Sequence, residues 1–447
     1  MNRNPFSEVL DTDDDHIVCF GSDGTVFRWS EFVERASGVR DSLAALPGAR
    51  WAVDIDDVYE FACAMMGCWA AGKTAVIAAR QIIRREDLDT KIDGVLTSAP
   101  VRSTNRLSVA LTQVVRANKP IKALDPGSRI VLYTSGSTGK PKEVGRALHN
   151  VEAELSAFES LWGTRLRGSS MYSTVSHRHV YGLLFRVLWP LLSRRPFATF
   201  DFQYPEQLLG PVGSGNVLIT SPALLKRIGH FDPRAGDWAA VFSSGGLLPR
   251  DSAMDSKRVL GTHPIEVLGS TETSGVGWRR QRAQNNEMWT VLPTASVRVD
   301  RDGFLEVESQ FSGQAGWYRM GDLAKLVPDG RFELLGRGDS IAKIEEKRIS
   351  LTEIERLLLE HPFVVAAAAV ALADDTRQFI GVALGLSRTG AEELARVGRL
   401  AFSTTLKDSL RSRIEPVALP RKFRYLDELP VNSQGKRTQA AIEKLFE

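Results

Sequence analysis

Short apolar runs that lead into small polar residues recur through the first 270 positions of the chain. Five of them are rich in β-branched residues and reach Ser, Thr or Gly, which is typical of strands: IDGVLTS, RIVLYTS, NVLITS, WAAVFSSGG and HPIEVLGSTE. Helical periodicity lies among them, as in residues 29–46, where Ser30 is the predicted N-cap. This alternation predicts an α/β architecture with ligands beyond the carboxyl ends of strands. We expect three strand ends, TSGSTG, SSGG and GSTET, to meet at one site.

The pattern changes after residue 300. Two Asp-Gly pairs lie in DRDGFLEVES and DGRFELLGRGDS and predict hairpins. After Ser340 the order is a basic strand, a capped helix in SLTEIERLLLEH, two apolar strands, another helix and a tail. We therefore predict a large N-terminal domain, residues 1–338, and a small α+β C-terminal domain, residues 339–447.

Composition and charge exclude several classes of protein. The chain has 447 residues, of which 43% are hydrophobic and 25% charged, with a net charge of +3, which is ordinary for a globular protein. This balance indicates neither nucleic acid nor a membrane as the main partner. The three cysteines fit a reducing compartment: Cys19, Cys63 and Cys68. The N-terminus lacks the apolar centre of a signal peptide, and no apolar run is long enough to span a bilayer. We expect a cytoplasmic protein.

A glycine-rich segment, VLYTSGSTGKPKEV at residues 131–144, carries the first candidate chemistry. Its glycines let backbone N–H groups approach an anion, while its hydroxyls donate hydrogen bonds and its lysines neutralise charge. The spacing differs from that of a P-loop, which needs four residues between its first Gly and its Gly-Lys pair. The segment therefore predicts a phosphate-binding loop of another kind, formed by Thr134, Ser135, Gly136, Ser137, Thr138, Gly139, Lys140 and Lys142.

TSGSTGKPKEV resembles the phosphate loop of the adenylate-forming superfamily, which includes acyl- and aryl-CoA synthetases, peptide-synthetase adenylation domains and luciferases. Four further segments resemble the family's motifs in family order: GSTET (269–273), GWYRMGDL (316–323), GRGDSIAKIEEKRISLTEIE (336–355) and LPVNSQGKRT (429–438). Together the five cover residues 130–438. The resemblance implies the two-domain adenylate-forming fold, in which the small C-terminal domain is a mobile lid.

The resemblance also implies a first reaction, in which a carboxylate joins the α-phosphate of ATP and pyrophosphate leaves. The phosphate loop would hold the β- and γ-phosphates, and Glu272 would ligate Mg²⁺, for which a carboxylate oxygen is suitable. Lys436 matches the lysine that stabilises the transition state of adenylation. His179 matches a residue beside the acyl group, but a lone histidine is equally well a core residue.

Further positions match the nucleotide site of the family. Asp322 corresponds to the acceptor for the ribose hydroxyls, and Arg337 to a second ribose or phosphate contact. The adenine slot would be lined by Gly245, Gly246 and Leu247, although a Gly-Gly turn is a fair alternative. The three residues that precede Glu272 in its motif also belong to this predicted site: Gly269, Ser270 and Thr271.

In the second reaction of the family, the small domain rotates about a hinge aspartate, here Asp339, and a thiol attacks the acyl-adenylate. Three positions depart from the usual hinge motif: Ser340, Glu346 and Leu351. Glu346 replaces a glycine along the thiol's path and adds negative charge, which disfavours free coenzyme A. The KIEEKR variant resembles that of ligases of bacterial aryl-polyene pathways, which load acyl carrier proteins. A carrier is acidic and could face a basic surface, unless that surface is simply solvated: Lys343, Lys347, Arg348, Arg421, Lys422 and Arg424.

The identity of the acid follows less directly. The segment STVSHRHVYGLL holds no aspartate to pair with an α-amino group, so an amino acid is disfavoured. A hydroxylated aromatic acid or a short acyl chain remains, and the pigment-pathway resemblance favours the aromatic one. We expect an AMP-forming acid–thiol ligase that loads a carrier protein. The alternatives are an acyl- or aryl-CoA synthetase and a non-catalytic regulator that binds nucleotide or acyl-adenylate.

Overall fold

The computed structural model describes most of the chain and confirms the α/β class. The residues described are 10, 14–78, 83, 91–100, 106–117, 121, 123–134, 142–233, 236–282, 288–338, 341–344, 347–373, 378–411, 413–430 and 439–447. They form two compact units. One comprises Met1–Val297, Val307–Tyr318 and Val327–Phe332; the other comprises Arg298–Glu306, Arg319–Leu326 and Glu333–Glu447. The domain boundary that we place between residues 338 and 339 stays a prediction.

The elements are numbered along the chain. Up to residue 162 they are β1 (Ile17–Phe20), β2 (Val26–Arg28), α1 (Trp29–Ala44), β3 (Arg50–Asp54), α2 (Val58–Ala70), β4 (Thr74–Ile77), β5 (Gly94–Thr97), β6 (Leu107–Ala110), β7 (Arg129–Thr134), β8 (Lys142–Ala147) and α3 (Leu148–Trp162). From there to residue 291 they are β9 (Met171–Ser173), α4 (Val180–Gly182), α5 (Trp189–Ser193), β10 (Phe197–Asp201), β11 (Val217–Thr220), α6 (Pro222–Leu225), β12 (Ala240–Ser243), α7 (Arg250–Leu260), β13 (Ile265–Ser270), β14 (Ser274–Arg279) and β15 (Thr290–Val291).

The remaining strands and helices are β16 (Ala295–Val299), β17 (Phe304–Ser309), β18 (Tyr318–Leu326), β19 (Phe332–Arg337), β20 (Ile341–Ile344), β21 (Lys347–Ser350), α8 (Leu351–Leu359), β22 (Val364–Ala373), β23 (Gln378–Leu386), α9 (Arg388–Arg411), β24 (Lys422–Leu426) and α10 (Gln439–Glu443). A π-helical turn, Leu183–Leu188, joins α4 to α5. The 3₁₀ turns are Leu111–Gln113, Gly163–Leu166, Pro205–Leu208, Pro211–Gly213, Pro416–Ala418 and Lys444–Phe446.

Two sheets build the first unit. One has nine strands in the order β15-β14-β13-β12-β11-β9-β10-β1-β2, and the other has six in the order β6-β5-β3-β4-β7-β8. Their centres are parallel, while hairpins such as β13–β14 and β7–β8 pair antiparallel. A continuous core joins residues of both sheets to the helices, with Trp51 of β3, Phe61 of α2 and Phe158 of α3 fully buried. All five β-branched runs that we predict as strands are strands.

The start of α1 differs from the prediction. Ser30 is not the N-cap, because the helix already begins at Trp29. The carboxylate of Asp15, which is distant in sequence, accepts the Ser30 N–H at 2.9 Å, and Glu31 accepts the Arg28 N–H at 3.0 Å. Both acids satisfy donors that the first helical turn leaves without an intrahelical partner.

The second unit has its own core. The hairpin β22–β23 is extended by β24, which runs parallel to β23, and α8 packs against β22. Ser350 caps α8 by accepting the Glu353 N–H at 3.2 Å, as the sequence pattern SLTE predicts. Leu351, one of the unusual hinge-motif positions, is the first residue of α8 and is buried in this core. Among the helices that the structure describes, none has the length and apolar character of a membrane span.

Both predicted Asp-Gly turns are present. Asp300 N–H donates to the Phe304 carbonyl at 2.9 Å between β16 and β17, and Val327 N–H donates to the Arg331 carbonyl at 2.9 Å between β18 and β19. The four strands form one sheet in the order β16-β17-β18-β19.

Candidate active site

Two of the three strand ends that we expect to meet are direct neighbours. Strands β12 and β13 pair in parallel, with Phe242 opposite Ile265 and Ser243 opposite Glu266. The SSGG turn and the GSTET turn therefore emerge side by side from the carboxyl edge of the nine-stranded sheet, where ligands bind in α/β proteins.

Lys142, at the end of the glycine-rich segment, reaches the GSTET turn. Its Nζ lies 3.4 Å from Oε1 of Glu272 and 5.5 Å from the centre of the Tyr318 ring. The Lys142 side chain is 49% exposed and that of Glu272 is 17% exposed. Burial opposes the charge of Lys142, yet Glu272 and Tyr318 raise its pKa. An ammonium and a carboxylate thus meet where an incoming ligand can touch both.

A fully buried ion pair supports the GSTET turn from inside. Arg146 of β8 and Glu154 of α3 lie 3.4 Å apart, and each side chain is only 1% exposed. Arg146 donates to the Thr271 carbonyl at 2.9 Å and to the Ser274 hydroxyl at 2.6 Å, while Glu154 accepts the Gly275 N–H at 2.8 Å. Ser274 also donates to Glu154. This network fixes the backbone on both sides of Glu272.

Neither Arg146 nor Glu154 was among the residues predicted from the motifs, although the sequence around each of them carries a signal. In KEVGRA, Val144 and Arg146 alternate with outward-facing positions, so Arg146 falls on the inward face of β8. Glu154 stands three residues after Val151 and four before Phe158, on the apolar face of α3. A cation and an anion on two inward-facing positions predict a buried ion pair, because burying either charge without a partner would cost too much free energy.

Hydroxyls and a tight backbone contact fix the GSTET turn itself. Ser270 and Thr273 exchange hydrogen bonds, since each backbone N–H donates to the other's hydroxyl at 3.1–3.2 Å. A Cβ on Gly269 would stand 2.3 Å from the Ser274 carbonyl oxygen. Only glycine therefore fits this position without backbone movement.

Open space lies beside the predicted adenine slot. Gly245 has φ of +90°, and a Cβ there would meet no atom within 4 Å, while one on Gly246 would meet only Pro222 at 4.0 Å. Leu247 is 49% exposed. The space beside these glycines is therefore open in the structure, and the role of the three residues in binding adenine stays a prediction.

The two histidines of SHRHVYG have different environments. His177 is 4% exposed, contacts the Ile55 carbonyl through Nε2 at 3.1 Å and packs on Phe61. Burial, together with Arg186, lowers its pKa to about 3, so it is a neutral core residue. His179 is half-buried and directly precedes α4. Its role beside the acyl group stays a prediction.

Asp322 and Arg337 belong to the second unit, on β18 and β19. The Arg337 guanidinium lies against Gly321, because a Cβ on that glycine would stand 2.9 Å from its Nη2. Arg337 therefore lies beside the residue that precedes Asp322 in β18, and the roles of both residues in binding ribose stay predictions.

Several predicted site residues lie outside the described residues: Ser135, Gly136, Ser137, Thr138, Gly139, Lys140, Asp339, Ser340, Glu346 and Lys436. Thr134 ends β7, and its backbone pairs with Lys142. Within the described ranges, no group of three or more His, Cys, Asp or Glu side chains could hold a metal ion. A single carboxylate such as that of Glu272 is compatible with Mg²⁺, which commonly takes one or two carboxylates together with water and substrate phosphates, and its role as a Mg²⁺ ligand stays a prediction.

Comparison with known proteins identifies the family. The sequence profile of the AMP-binding enzyme family matches residues 74–303, and that of the AMP-binding enzyme C-terminal domain matches residues 353–436. The 4-coumarate–CoA ligase of Cereibacter sphaeroides is 25% identical over 70% of this chain and 71% of its own length. The anthranilate–CoA ligase of Pseudomonas aeruginosa is 24% identical over 89% of this chain and 87% of its own.

A solved structure shares the fold across the whole chain. ATP-bound MatB from Rhodopseudomonas palustris superposes with a TM-score of 0.86 at 18% identity, covering 100% of this chain and 99% of its own. The two-domain adenylate-forming fold that the motifs predict is therefore confirmed. The chain belongs to the AMP-binding enzyme family and is an AMP-forming acid–thiol ligase.

Proposed function

We propose that the protein uses ATP and Mg²⁺ to convert an aromatic carboxylic acid into an acyl-adenylate, and then passes the acyl group to a phosphopantetheine thiol of an acyl carrier protein. The observation that carries the first step is the Lys142–Glu272 pair at 3.4 Å. It stands at the carboxyl edge of the sheet, next to the strand that leads into Gly245 and Gly246.

The chemistry of the first step explains why this pair is useful. A carboxylate oxygen attacks the α-phosphorus, the bond to the bridging oxygen breaks, and pyrophosphate leaves. Both reactants are anions, so positioned cations are the main requirement. Lys142 would bind phosphate oxygens, and Glu272 would hold Mg²⁺, which neutralises phosphate charge when bound. Lys436, Asp322 and Arg337 keep the roles that their motifs imply.

Three considerations support the choice of acid and acceptor. Two relatives are named for aromatic acids, 4-coumarate and anthranilate, which favours an aromatic substrate here. Glu346 adds negative charge to the hinge motif, which disfavours a polyanionic free thiol. Arg421 and Lys422 are exposed, so an acidic carrier could contact them. Arg424 is half-buried and donates to the Leu445 carbonyl at 2.8 Å, so it contributes less to such a surface.

Free coenzyme A is the second candidate acceptor, because the same two relatives are named CoA ligases. The two acceptors predict different products. A carrier-loading enzyme acylates a phosphopantetheinylated carrier protein in preference to coenzyme A at equal concentrations, and a CoA ligase does the opposite.

Pyrophosphate release with a panel of hydroxybenzoic, cinnamic and fatty acids tests the first step. We expect release with at least one aromatic acid, and a loss of about 100-fold or more in kcat in Glu272→Gln, since removing one group that stabilises transition-state charge has that order of effect. Glu393→Gln is the matched control, because Glu393 is paired with Arg396 at 2.7 Å on an exposed helix. No release with any acid, or equal activity of both variants, would refute the proposal.

Intact-mass measurement tests the acceptor. A phosphopantetheinylated carrier protein and coenzyme A are incubated together with enzyme, ATP, Mg²⁺ and the accepted acid. A mass gain on the carrier protein supports the carrier as the acceptor. Formation of acyl-CoA without acylation of the carrier would show that coenzyme A is the acceptor instead. The first step is unaffected by either result.

A further inference from the structure

A basic pocket of about 480 Å³ lies in the first unit, away from the site described above. It opens where chain segments enter the nine-stranded sheet, beside Trp238 and Ala239 before β12. Its charged or titratable lining residues are Arg165, Asp237, Lys257, His263, Arg280 and Arg282.

Strand direction places this pocket at the opposite edge of the sheet from the GSTET turn. His263 precedes β13, whereas Glu272 follows it. Strand β14 runs back antiparallel to β13, with Arg279 opposite Glu266, so Arg280 returns to the amino edge. Six residues of β13 separate the two edges by about 16 Å, at about 3.3 Å per step. The pocket is therefore distinct from the nucleotide site.

Positive charge exceeds negative charge in the pocket lining. Three arginines and one lysine face a single carboxylate, that of Asp237. Arg165 and Lys257 donate to the backbone carbonyls of Ala239 and Gly261, at 3.4 and 2.7 Å. These bonds orient the two side chains but leave their charges uncompensated. Within the part of the chain that the structure describes, none of the four cations has a carboxylate within 4.0 Å.

Two buried nitrogen atoms of the pocket have no hydrogen-bond partner among the described residues: Nε of Arg280 and Nδ1 of His263. A buried donor without a partner costs about 1–3 kcal/mol, so such atoms are uncommon in folded proteins. Burial, together with Arg165 and Arg282, lowers the pKa of Arg280 to about 10. Burial and the cations Lys257, Arg282 and Arg280 lower the pKa of His263. A bound anion would relieve both effects.

We propose that this pocket binds the phosphate group of a small phosphorylated molecule, at a site separate from the nucleotide site. Guanidinium groups match phosphate oxygens in geometry and charge. The volume exceeds what one phosphate needs and falls within the range of about 300–1,000 Å³ typical of small-molecule pockets. The ligand is thus a phosphate with an attached organic group, and inorganic phosphate is its minimal probe.

The pKa of His263, followed by NMR, tests this proposal. The imidazole signals of the seven histidines are recorded against pH in NaCl, inorganic phosphate, pyrophosphate or AMP at equal ionic strength, and His263→Gln assigns the signal. We expect the phosphate compounds to raise the His263 pKa by about 0.5 unit or more, because an anion a few ångströms away interacts by about 1 kcal/mol even in water. A larger rise with AMP than with inorganic phosphate would identify the organic group as part of the ligand.

The double variant Arg280→Gln/Arg282→Gln should abolish the rise in the His263 pKa that the phosphate compounds cause. Its fold is checked by tryptophan fluorescence, and Arg282→Gln alone, at an exposed position, is the second variant if the double one does not fold. Lys142→Met is the control for anion binding at the nucleotide site, which is more than one Debye length, about 8 Å, from His263. The same pKa in NaCl and in every phosphate compound would overturn the proposal. So would a response that persists without the arginines.

Discussion

Arg146→Met is the most informative single substitution that the structure suggests. Methionine keeps the length of the side chain and fits an apolar environment, but it removes the guanidinium that contacts Glu154, Ser274 and the Thr271 carbonyl. The Glu154 carboxylate then stays buried with only the Ser274 hydroxyl and the Gly275 N–H as partners. We expect a loss of stability with a characteristic dependence on pH.

The expected loss of stability can be calculated from the response of the Glu154 carboxylate that costs the least free energy, which is protonation. Burial raises the pKa of Glu154 from its ordinary value of 4.5, and Arg146, Ser274 and Gly275 oppose that rise. Without Arg146 the folded variant keeps Glu154 protonated, which at pH 7 costs about 2.5 pH units times about 1.36 kcal/mol, or about 3.4 kcal/mol. The unpaired Thr271 carbonyl adds about 1 kcal/mol or more. The total, about 4–5 kcal/mol, matches the usual cost of breaking a buried ion pair.

The sign of the pH dependence is fixed by linkage. The folded pKa of Glu154 in the variant lies above its unfolded value, so folding takes up a proton at neutral pH. This contribution is fully present below the unfolded pKa of about 4.5 and is lost as the pH rises towards the folded pKa. Because the pKa of Glu154 is also raised in the wild type, the variant should recover at most about 2.7 kcal/mol relative to the wild type between pH 7 and pH 5.

Urea unfolding followed by tryptophan fluorescence measures this effect. All nine tryptophans belong to the unit that contains the pair, so the signal reports that unit. Arg146→Met/Glu154→Gln is the control that lacks the titrating group, and its difference from the wild type should not vary with pH. Arg396→Met is the control for loss of an exposed pair, worth at most about 1 kcal/mol. An equal penalty for Arg146→Met at pH 7 and pH 5 would refute the reasoning.

Three further predictions rest on other contacts. Gly269→Ala should lower the free energy of unfolding by about 2 kcal/mol or more, because its Cβ meets the Ser274 carbonyl, whereas Gly246→Ala should leave the urea midpoint unchanged and raise the KM for ATP. The pKa of His177 is about 3 in the folded protein, against an ordinary 6.5. The free energy of unfolding of the wild type should therefore fall by up to about 1.36 kcal/mol per pH unit below pH 6.5, and His177→Gln should remove that slope in urea titrations. The three buried thiols, such as Cys68, whose pKa burial raises to about 12, should not react with a thiol reagent at pH 8 until urea unfolds the protein.

The strands could be predicted because their signal is local. In NVLITS or WAAVFSSGG, a β-branched run and the small polar residues after it determine both the strand and its end. The α8 cap was equally local, since Ser350 and Glu353 are three residues apart. The α1 cap failed for the opposite reason. Asp15 reaches the helix from 15 positions upstream, and no pattern within the helix contains it.

The site was predictable to the extent that its residues stand in motifs. Glu272 and Lys142 were identified from GSTET and TSGSTGKPKEV, and the structure brings them together. His177 and His179 could not be distinguished by spacing, because the burial of His177 depends on Phe61 and Ile55, more than 100 residues away. Arg146 was missed because its meaning depends on Glu154 and on a backbone carbonyl that only the fold supplies.

The two ion pairs at the GSTET turn differ in what an arriving ligand can change. The Lys142–Glu272 pair is partly exposed, and such pairs contribute about 0–1 kcal/mol. In the proposed first step, phosphate would therefore replace Glu272 as the partner of Lys142, and Mg²⁺ would replace Lys142 as the partner of Glu272, at little cost in free energy. The Arg146–Glu154 pair is buried on all sides, and breaking it costs several kcal/mol, so it stays closed throughout. A rigid pair that holds the backbone at Thr271 and Gly275 allows Glu272 between them to exchange partners without moving the turn, which is what a site that binds and releases nucleotide in each cycle requires.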